Sequence, residues 1–202
     1  MVLLDRDIGS FPQRSAFDLV GIDNFAGGSI LTEHLIKLGA QRLGYVTSPH
    51  TAPTVDARIA GALAAMRDHG ITATANFVHT GDPTDDKFVR SFALARQLDA
   101  ILCTSDHFAA QLLQTLTRLH IRVPNDIRLV GFDDMRIANL LTVPLTTMAQ
   151  PCRDIATTAF RAMRERLSDP SITARSMLLT AQLVVRESCG AYLPQKPSPT
   201  KR

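Results

Sequence analysis

A recurring cycle of amphipathic helix, glycine and short apolar strand constrains this chain more than any other feature. Residues 25–38 are predicted as a helix with Leu31, Leu35 and Leu38 on one face, then Gly39 as a C-terminal cap, then the strand Leu43–Val46. Residues 57–69 repeat the pattern, with Gly70 as the stop and a strand near Ala75–Val78. Residues 86–97 form a third predicted helix before the strand Ala100–Cys103. Residues 107–119 form a fourth, with His120 standing where glycine stood before, then the loop Val123–Asp126 and the strand Ile127–Phe132. Short apolar strands alternating with helices predict an α/β fold built on a doubly wound parallel sheet. In such sheets ligands bind beyond the carboxyl ends of the strands, so the residues after each strand are the ones to inspect. Further on, 151–167 reads as a helix with Ile155, Ala156, Ala159, Phe160 and Met163 in a stripe, and 176–186 as a final strand. From Ala191 the tail has three prolines and no apolar period, so disorder is expected there.

Composition narrows the class. The 202 residues are 45% hydrophobic and 20% charged, an ordinary globular balance able to bury a core. Twenty-two basic against 19 acidic residues give +3, a weak argument for nucleic-acid binding. Cys103, Cys152 and Cys189 form no C-x-x-C pair, and idle thiols in a reducing cytoplasm are expected. No stretch approaches the ~20 apolar residues of a membrane helix, and the first residues do not read as a signal peptide. A cytoplasmic protein is therefore expected. The six histidines lack metal-ligand spacing, and no H-E-x-x-H, G-x-S-x-G or phosphate-binding glycine motif occurs. The sequence thus predicts no catalytic residue, metal or cofactor.

Candidate binding residues follow the strands. After Cys103 come Ser105 and Asp106, each either a helix N-cap or a ligand contact, with Asp106 the favoured cap. After Phe132 come Asp133 and Asp134; side chains alternate, so at most one should face a ligand. Arg58 falls in the first turn of the second predicted helix, where a cation opposes the dipole; it is either a ligand contact or half of an ion pair. Asp23 and Asn24 precede the first helix and are read first as capping residues.

Several segments together resemble the LacI/GalR family of transcription regulators. They are Leu3-Leu4-Asp5-Arg6, His34-Leu35-Ile36-x-Leu38-Gly39, Arg58-x-x-Gly61, Ala100-Ile101-Leu102-Cys103-x-Ser105-Asp106 and Ile121-x-Val123-Pro124-x-Asp126-Ile127. The nearest stretches are Val130-Gly131-Phe132-Asp133-Asp134, Pro144-Leu145-Thr146-Thr147-x-x-Gln150-Pro151 and Leu183-Val184-x-Arg186-Glu187-Ser188. The resemblance covers about residues 2–190 and implies the two-lobed fold of periplasmic sugar-binding proteins, with an effector in the cleft between lobes. It implies Arg58 and Asp133 as ligand contacts, Ser105 as a polar cleft residue, Gln150 at a crossover between lobes, and Asp23 near the cleft; Asp106 stays a candidate. Many members carry an aromatic residue shortly after a Gly-Asp pair, whereas here Gly81-Asp82 is followed by Pro83-Thr84. That platform is expected to be missing or supplied elsewhere.

The resemblance also implies a division. Residues 1–22 would be a remnant of the N-terminal lobe and 23–148 a nearly complete C-terminal lobe. Residues 149–175 would hold a crossover and an N-terminal-lobe helix, 176–190 the return strand to the C-terminal lobe, and 191–202 the tail. The family's DNA-binding headpiece has no counterpart here, so a shortened chain or mis-started reading frame is expected, with the stripe at 151–167 left without a sheet. The function implied is effector sensing for a repressor: a small hydroxyl-rich ligand such as a sugar, a homodimer, and DNA contacted only through the headpiece. The rivals are a solute-binding protein of a sugar transport system, an enzyme using Asp133 or Asp106 as base, and an interaction module built on the 151–167 stripe.

Overall fold

A computed structural model of the chain describes residues 1–49, 52–94 and 98–193. In chain order the elements are β1 (Val2–Leu4), β2 (Asp18–Ile22), α1 (Asn24–Lys37), β3 (Leu43–Thr47), α2 (Pro53–Asp68), β4 (Val78–Thr80) and α3 (Asp86–Ala93). There follow β5 (Ala100–Cys103), α4 (Asp106–Arg118), β6 (Arg128–Val130), β7 (Thr147–Ala149), α5 (Cys152–Ser168), β8 (Ser176–Leu179) and β9 (Gln182–Val184).

The predicted parallel sheet is present, in the order β4-β3-β5-β6. Its inner strands β3 and β5 are buried along their whole length because both faces are covered, and side-chain alternation divides the residues between two cores. Leu43, Tyr45, Ala100, Leu102 and Val130 face Leu31 and Leu35 of α1 and Ala62 and Met66 of α2. Val46, Ile101, Cys103 and Leu129 face Val89 and Phe92 of α3 and Leu112 and Leu116 of α4. The predicted helix stops fall in place. Gly39 and Gly70 take positive φ, and His120 takes the same left-handed conformation at φ 59.

A second, three-stranded parallel sheet has the order β1-β2-β8, and β7 and β9 form an antiparallel pair. The chain passes between the sheets three times: after Ile22, near Gln150-Pro151, and at Thr180-Ala181. The first core continues across, since Val20, Ile22, Ile155 and Ala159 belong to it with the α1 and α2 residues. Asp18, buried at the start of β2, accepts two bonds from Arg166 of α5, at 2.8 and 2.9 Å, and one from the Arg175 backbone N–H at 2.8 Å. This arrangement ties α5 and the entry to β8 onto β2.

Several sequence expectations need correction. The segment 176–186 is not one strand. Its first part pairs with β2 and Gln182–Val184 with β7, because the chain changes sheets between them. The β2 and β7 strands were not anticipated. The second helix starts at Pro53, four residues earlier than predicted, and β4 lies later than expected, in register with Tyr45–Thr47. The stripe on α5 does find a sheet. Ile155 and Ala159 are buried and α5 packs on β1 and β2, while Phe160 and Met163 face out. The end of the third predicted helix (95–97) and most of the predicted disordered tail (194–202) lie outside the described residues; Ala191 packs against the first core.

Candidate binding cleft

The carboxyl ends of β3, β5 and β6 open onto a cavity of about 700 Å³ whose other side is the end of β1 and the first turns of α5. Arg58, Asp133, Gln150 and Ser105 line it, together with Asp5, Ser48, Thr54 and Thr104. No aromatic side chain is among the described lining residues.

Arg58 is the most elaborately held of these. It sits in the second turn of α2, not the first, so its orientation rather than a dipole misfit marks it out. Its Nε donates to Asn24 Oδ1 at 2.9 Å and its Nη1 to the Thr104 carbonyl at 2.9 Å. The guanidinium carbon lies 3.6 Å from the centroid of the Phe132 ring, a cation–π stack, and Nη2 lies 3.7 Å from Asp133 Oδ1. Burial lowers its pKa, and the nearby Tyr45, Asp133, Asp5 and Asp106 oppose that shift. The backbone carrying Arg58 is placed by close contact of α1 and α2. A Cβ on Gly28 would lie 2.1 Å from the Arg58 carbonyl oxygen, and one on Gly61 would lie 2.0 Å from that of Phe25. Gly27-Gly28 thus serves helix packing here.

Asp133 follows β6 with φ 106, outside the comfortable range for a side-chain-bearing residue, at a cost of roughly 1–3 kcal/mol. Its N–H donates to the Met148 carbonyl at 2.9 Å, and its Oδ1 accepts from Gln150 Nε2 at 2.7 Å. Asp134 turns away and accepts from Arg186 Nη2 at 2.7 Å. The two acids diverge as expected, and Asp133 is the one in the cavity.

Two candidates sit elsewhere. Ser105 is the N-cap of α4, its Oγ accepting from the Phe108 N–H at 3.3 Å, and it also lines the cavity. Asp106 is therefore not the cap, and it does not line the cavity. Its carboxylate is fully buried, accepting from Thr147 Oγ1 at 2.6 Å and the Met135 N–H at 2.7 Å. The first helical residue points back at the sheet, against Gly131, where a Cβ would lie 2.3 Å from its oxygen. Burial pushes its pKa up to about 6, with the two hydrogen bonds resisting. Asp23 caps α1 through the Ala26 N–H at 2.9 Å and faces a smaller recess beside the cavity.

Asp5, Thr54 and Asn24 were missed as site residues. Asp5 follows β1 at φ 67 and lines the cavity; the segment Leu3-Leu4-Asp5-Arg6 carries the resemblance, and that is the signal that could have found it. Asn24 had a signal, adjacency to a helix start, but it supports Arg58 from the side and leaves capping to Asp23. None of the described histidines lines the cavity, and no group of three metal-binding side chains occurs among the described residues. What the arrangement offers is a mixed set of charged and neutral hydrogen-bonding groups, converging from both sheets on a water-accessible cleft. A ligand rich in hydroxyls suits that set.

Fold and cleft define an α/β ligand-binding domain whose chain crosses three times between two parallel sheets. The chain belongs to the periplasmic binding protein-like domain family, whose model matches residues 32–189. Its curated relatives include the HTH-type transcriptional repressor PurR of Photobacterium profundum, 30% identical over 93% of this chain and 56% of that protein. The ribose operon repressor of Escherichia coli strain K12 is 30% identical over 85% of this chain and 53% of that protein. Among solved structures, a complex of the transcriptional regulator CelR with cellobiose superposes with a TM-score of 0.82 at 25% identity, over 93% of this chain and 58% of that one. The chain thus spans about half the length of the curated relatives it matches. Among the described residues no helix is long and apolar enough to cross a membrane.

Proposed function

We propose that this chain senses a small hydroxyl-rich effector, a sugar or sugar derivative, on behalf of a transcriptional repressor. The observation that carries the reading is the convergence of Arg58, Asp133 and Gln150 on a cleft at the strands' carboxyl ends, where the chain crosses between sheets. Arg58 donates to ligand oxygens, Asp133 accepts from ligand hydroxyls, and Ser105 and Asp5 add polar contacts from opposite walls. Asp106 and Asp23 act one step back, holding backbone in place. Repressor relatives favour regulation over solute capture for transport.

On this reading residues 23–148 with 182–190 form one lobe, and 1–22 with 152–179 the other. A ligand touching both favours the closed arrangement by its differential affinity, typically worth ~1–3 kcal/mol. Coupling to DNA, and a homodimer, belong to the repressor as a whole, in the cytoplasm, and no catalysis is assigned to the cleft.

Thermal unfolding against a panel of sugars, sugar phosphates and nucleosides tests this. A ligand at ~100 times its dissociation constant should stabilise the chain by about 2.7 kcal/mol. Arg58→Ala and Asp133→Ala should each abolish that gain. A gain that survives both substitutions places the ligand elsewhere and contradicts the reading.

A further inference from the structure

Two successive residues at the cleft carry unusual backbone. Asp133 has φ 106 and Asp134 φ 51, in the turn that follows β6. Side-chain-bearing residues stay in such conformations only where their surroundings fix them from several sides. Here the fixing group is Asp106, at the start of α4. Its backbone N–H donates to the Phe132 carbonyl at 2.8 Å, just before the pair. Its carboxylate Oδ2 accepts from the Met135 N–H at 2.7 Å, just after the pair. The other oxygen, Oδ1, accepts from Thr147 Oγ1 at 2.6 Å, and that hydroxyl oxygen accepts in turn from the Asp134 N–H at 3.3 Å. Thr147 opens β7, which leads to Gln150, and Gln150 donates to Asp133. One buried residue thus grips both ends of the turn and the strand beside it.

We infer that Asp106 is the positioning residue of the cleft: its ionised carboxylate holds the 133–135 turn, and through it Asp133, in the shape that meets a ligand. Asp106 touches no ligand itself, since Ser105 and Asp133 line the cavity and it does not. The charge matters because both oxygens must accept. A proton on Oδ2 would face the Met135 N–H donor to donor. One on Oδ1 would face the Thr147 hydroxyl, whose oxygen already accepts from Asp134. The charged and titratable groups around the carboxylate are Arg58 from α2, Cys103 from the end of β5, and Asp133 and Asp134 from the turn. Arg186, after β9, is taken up by Asp134. The hydrogen-bond partners of Asp106 are themselves uncharged, and burial raises its pKa to about 6. A buried charge without a counter-ion in contact works against folding, which leaves the cleft as the reason for an acid here.

This inference rests on the effector reading, and calorimetric titration of the whole chain separates the two. The probes are ribose, glucose, galactose, cellobiose and adenosine. Asp106→Asn should weaken binding of the tightest of them by about tenfold or more at about pH 7, the scale of one lost hydrogen bond to a charged group. Its unfolding free energy should not fall, whereas a side chain that merely props the fold would lose binding and stability together. Wild-type affinity should drop about tenfold between about pH 7 and about pH 5, as the ionised fraction shrinks, and Asp106→Asn should show no such drop. Exchange of the Asp134 and Met135 amides, read by NMR without ligand, should quicken in the variant. Should Asp106→Asn not fold, Thr147→Val decides: it cuts the link to Asp134, leaves the acid in place and should weaken binding in the same direction. Binding unchanged in either folded variant, or a wild-type affinity constant over that pH range, overturns the inference and leaves the effector reading intact. If no probe binds the folded wild-type chain, the effector reading fails, and the exchange rates alone uphold or overturn the hold of Asp106 on the turn.

Discussion

The two sheets are built to different standards. The four-stranded sheet is covered on both faces, and its helices bury their apolar stripes in two separate cores. The three-stranded sheet is packed by α5 through Ile155, Ala159 and Ala162, while Phe160 (58% exposed) and Leu167 (75%) face outward and Leu4 lines the cavity. Polar contacts carry more of the smaller unit: buried Asp18 gathers Arg166 and the Arg175 backbone at the junction of β2, α5 and β8. The contrast teaches that the larger unit has a core of its own between the sheet, α3 and α4, whereas the smaller one buries its apolar residues through the first core, which it shares with α1 and α2.

The largest effect should come from the larger unit's core. Leu112→Ala removes a fully buried side chain between α4 and the sheet and should cost about 2–5 kcal/mol in chemical denaturation. A cost below about 1 kcal/mol would mean that this core is looser than described. Gly28→Ala comes next, at roughly 1–3 kcal/mol, because a Cβ would meet the Arg58 backbone. It should also weaken ligand binding by displacing Arg58, which circular dichroism and titration together would report.

Acid should act on the two units in opposite directions. Asp106, with its pKa pushed up to about 6 by burial, binds its proton more readily folded than unfolded. Its ionisation therefore costs stability above pH 6, and that cost is relieved as pH falls from about 6 to 4. Asp18, held down at about 2 by the Arg166 hydrogen bonds, stabilises the fold above about pH 4, and that contribution is lost as pH falls towards 2. Unfolding free energy measured against pH should rise by on the order of 1–2 kcal/mol on the first limb and then fall on the second. Asp106→Asn should remove the first limb and Asp18→Asn the second. If either substitution left the profile unchanged, the assignment of that limb would be wrong. The smallest effect, within about 0.5 kcal/mol, is expected for Leu167→Ser on the exposed side of α5.

Much of the larger unit was legible in the sequence because its signals are local. The leucine spacing of α1 and α4, the stops at Gly39, Gly70 and His120, and the wholly apolar Ala100–Cys103 each need only a few neighbouring residues. The smaller unit was harder to read. β2 carries Asp18 and Gly21, whose reasons are a partner 148 residues away and the Asp5 backbone lying 2.9 Å from a would-be Cβ. The break at Thr180-Ala181 reflects a change of sheet that no local period records. In the cleft, the positions after strands pointed to Ser105 and Asp133, and the family resemblance to Arg58 and Gln150. Neither revealed that Asp106 turns inward to Thr147, or that Asp5 lines the cavity. Those facts depend on how distant segments dock.

The central claim is that one ligand bridges both units across the cleft. Hydrogen exchange followed by mass spectrometry, with and without the tightest sugar of the panel, tests it most directly. The account predicts slower exchange on both walls: at 104–108 and 133–135 on the larger unit, and at 4–6 and 152–156 on the smaller. Protection confined to the larger unit, with the end of β1 and the start of α5 exchanging as before, would contradict it.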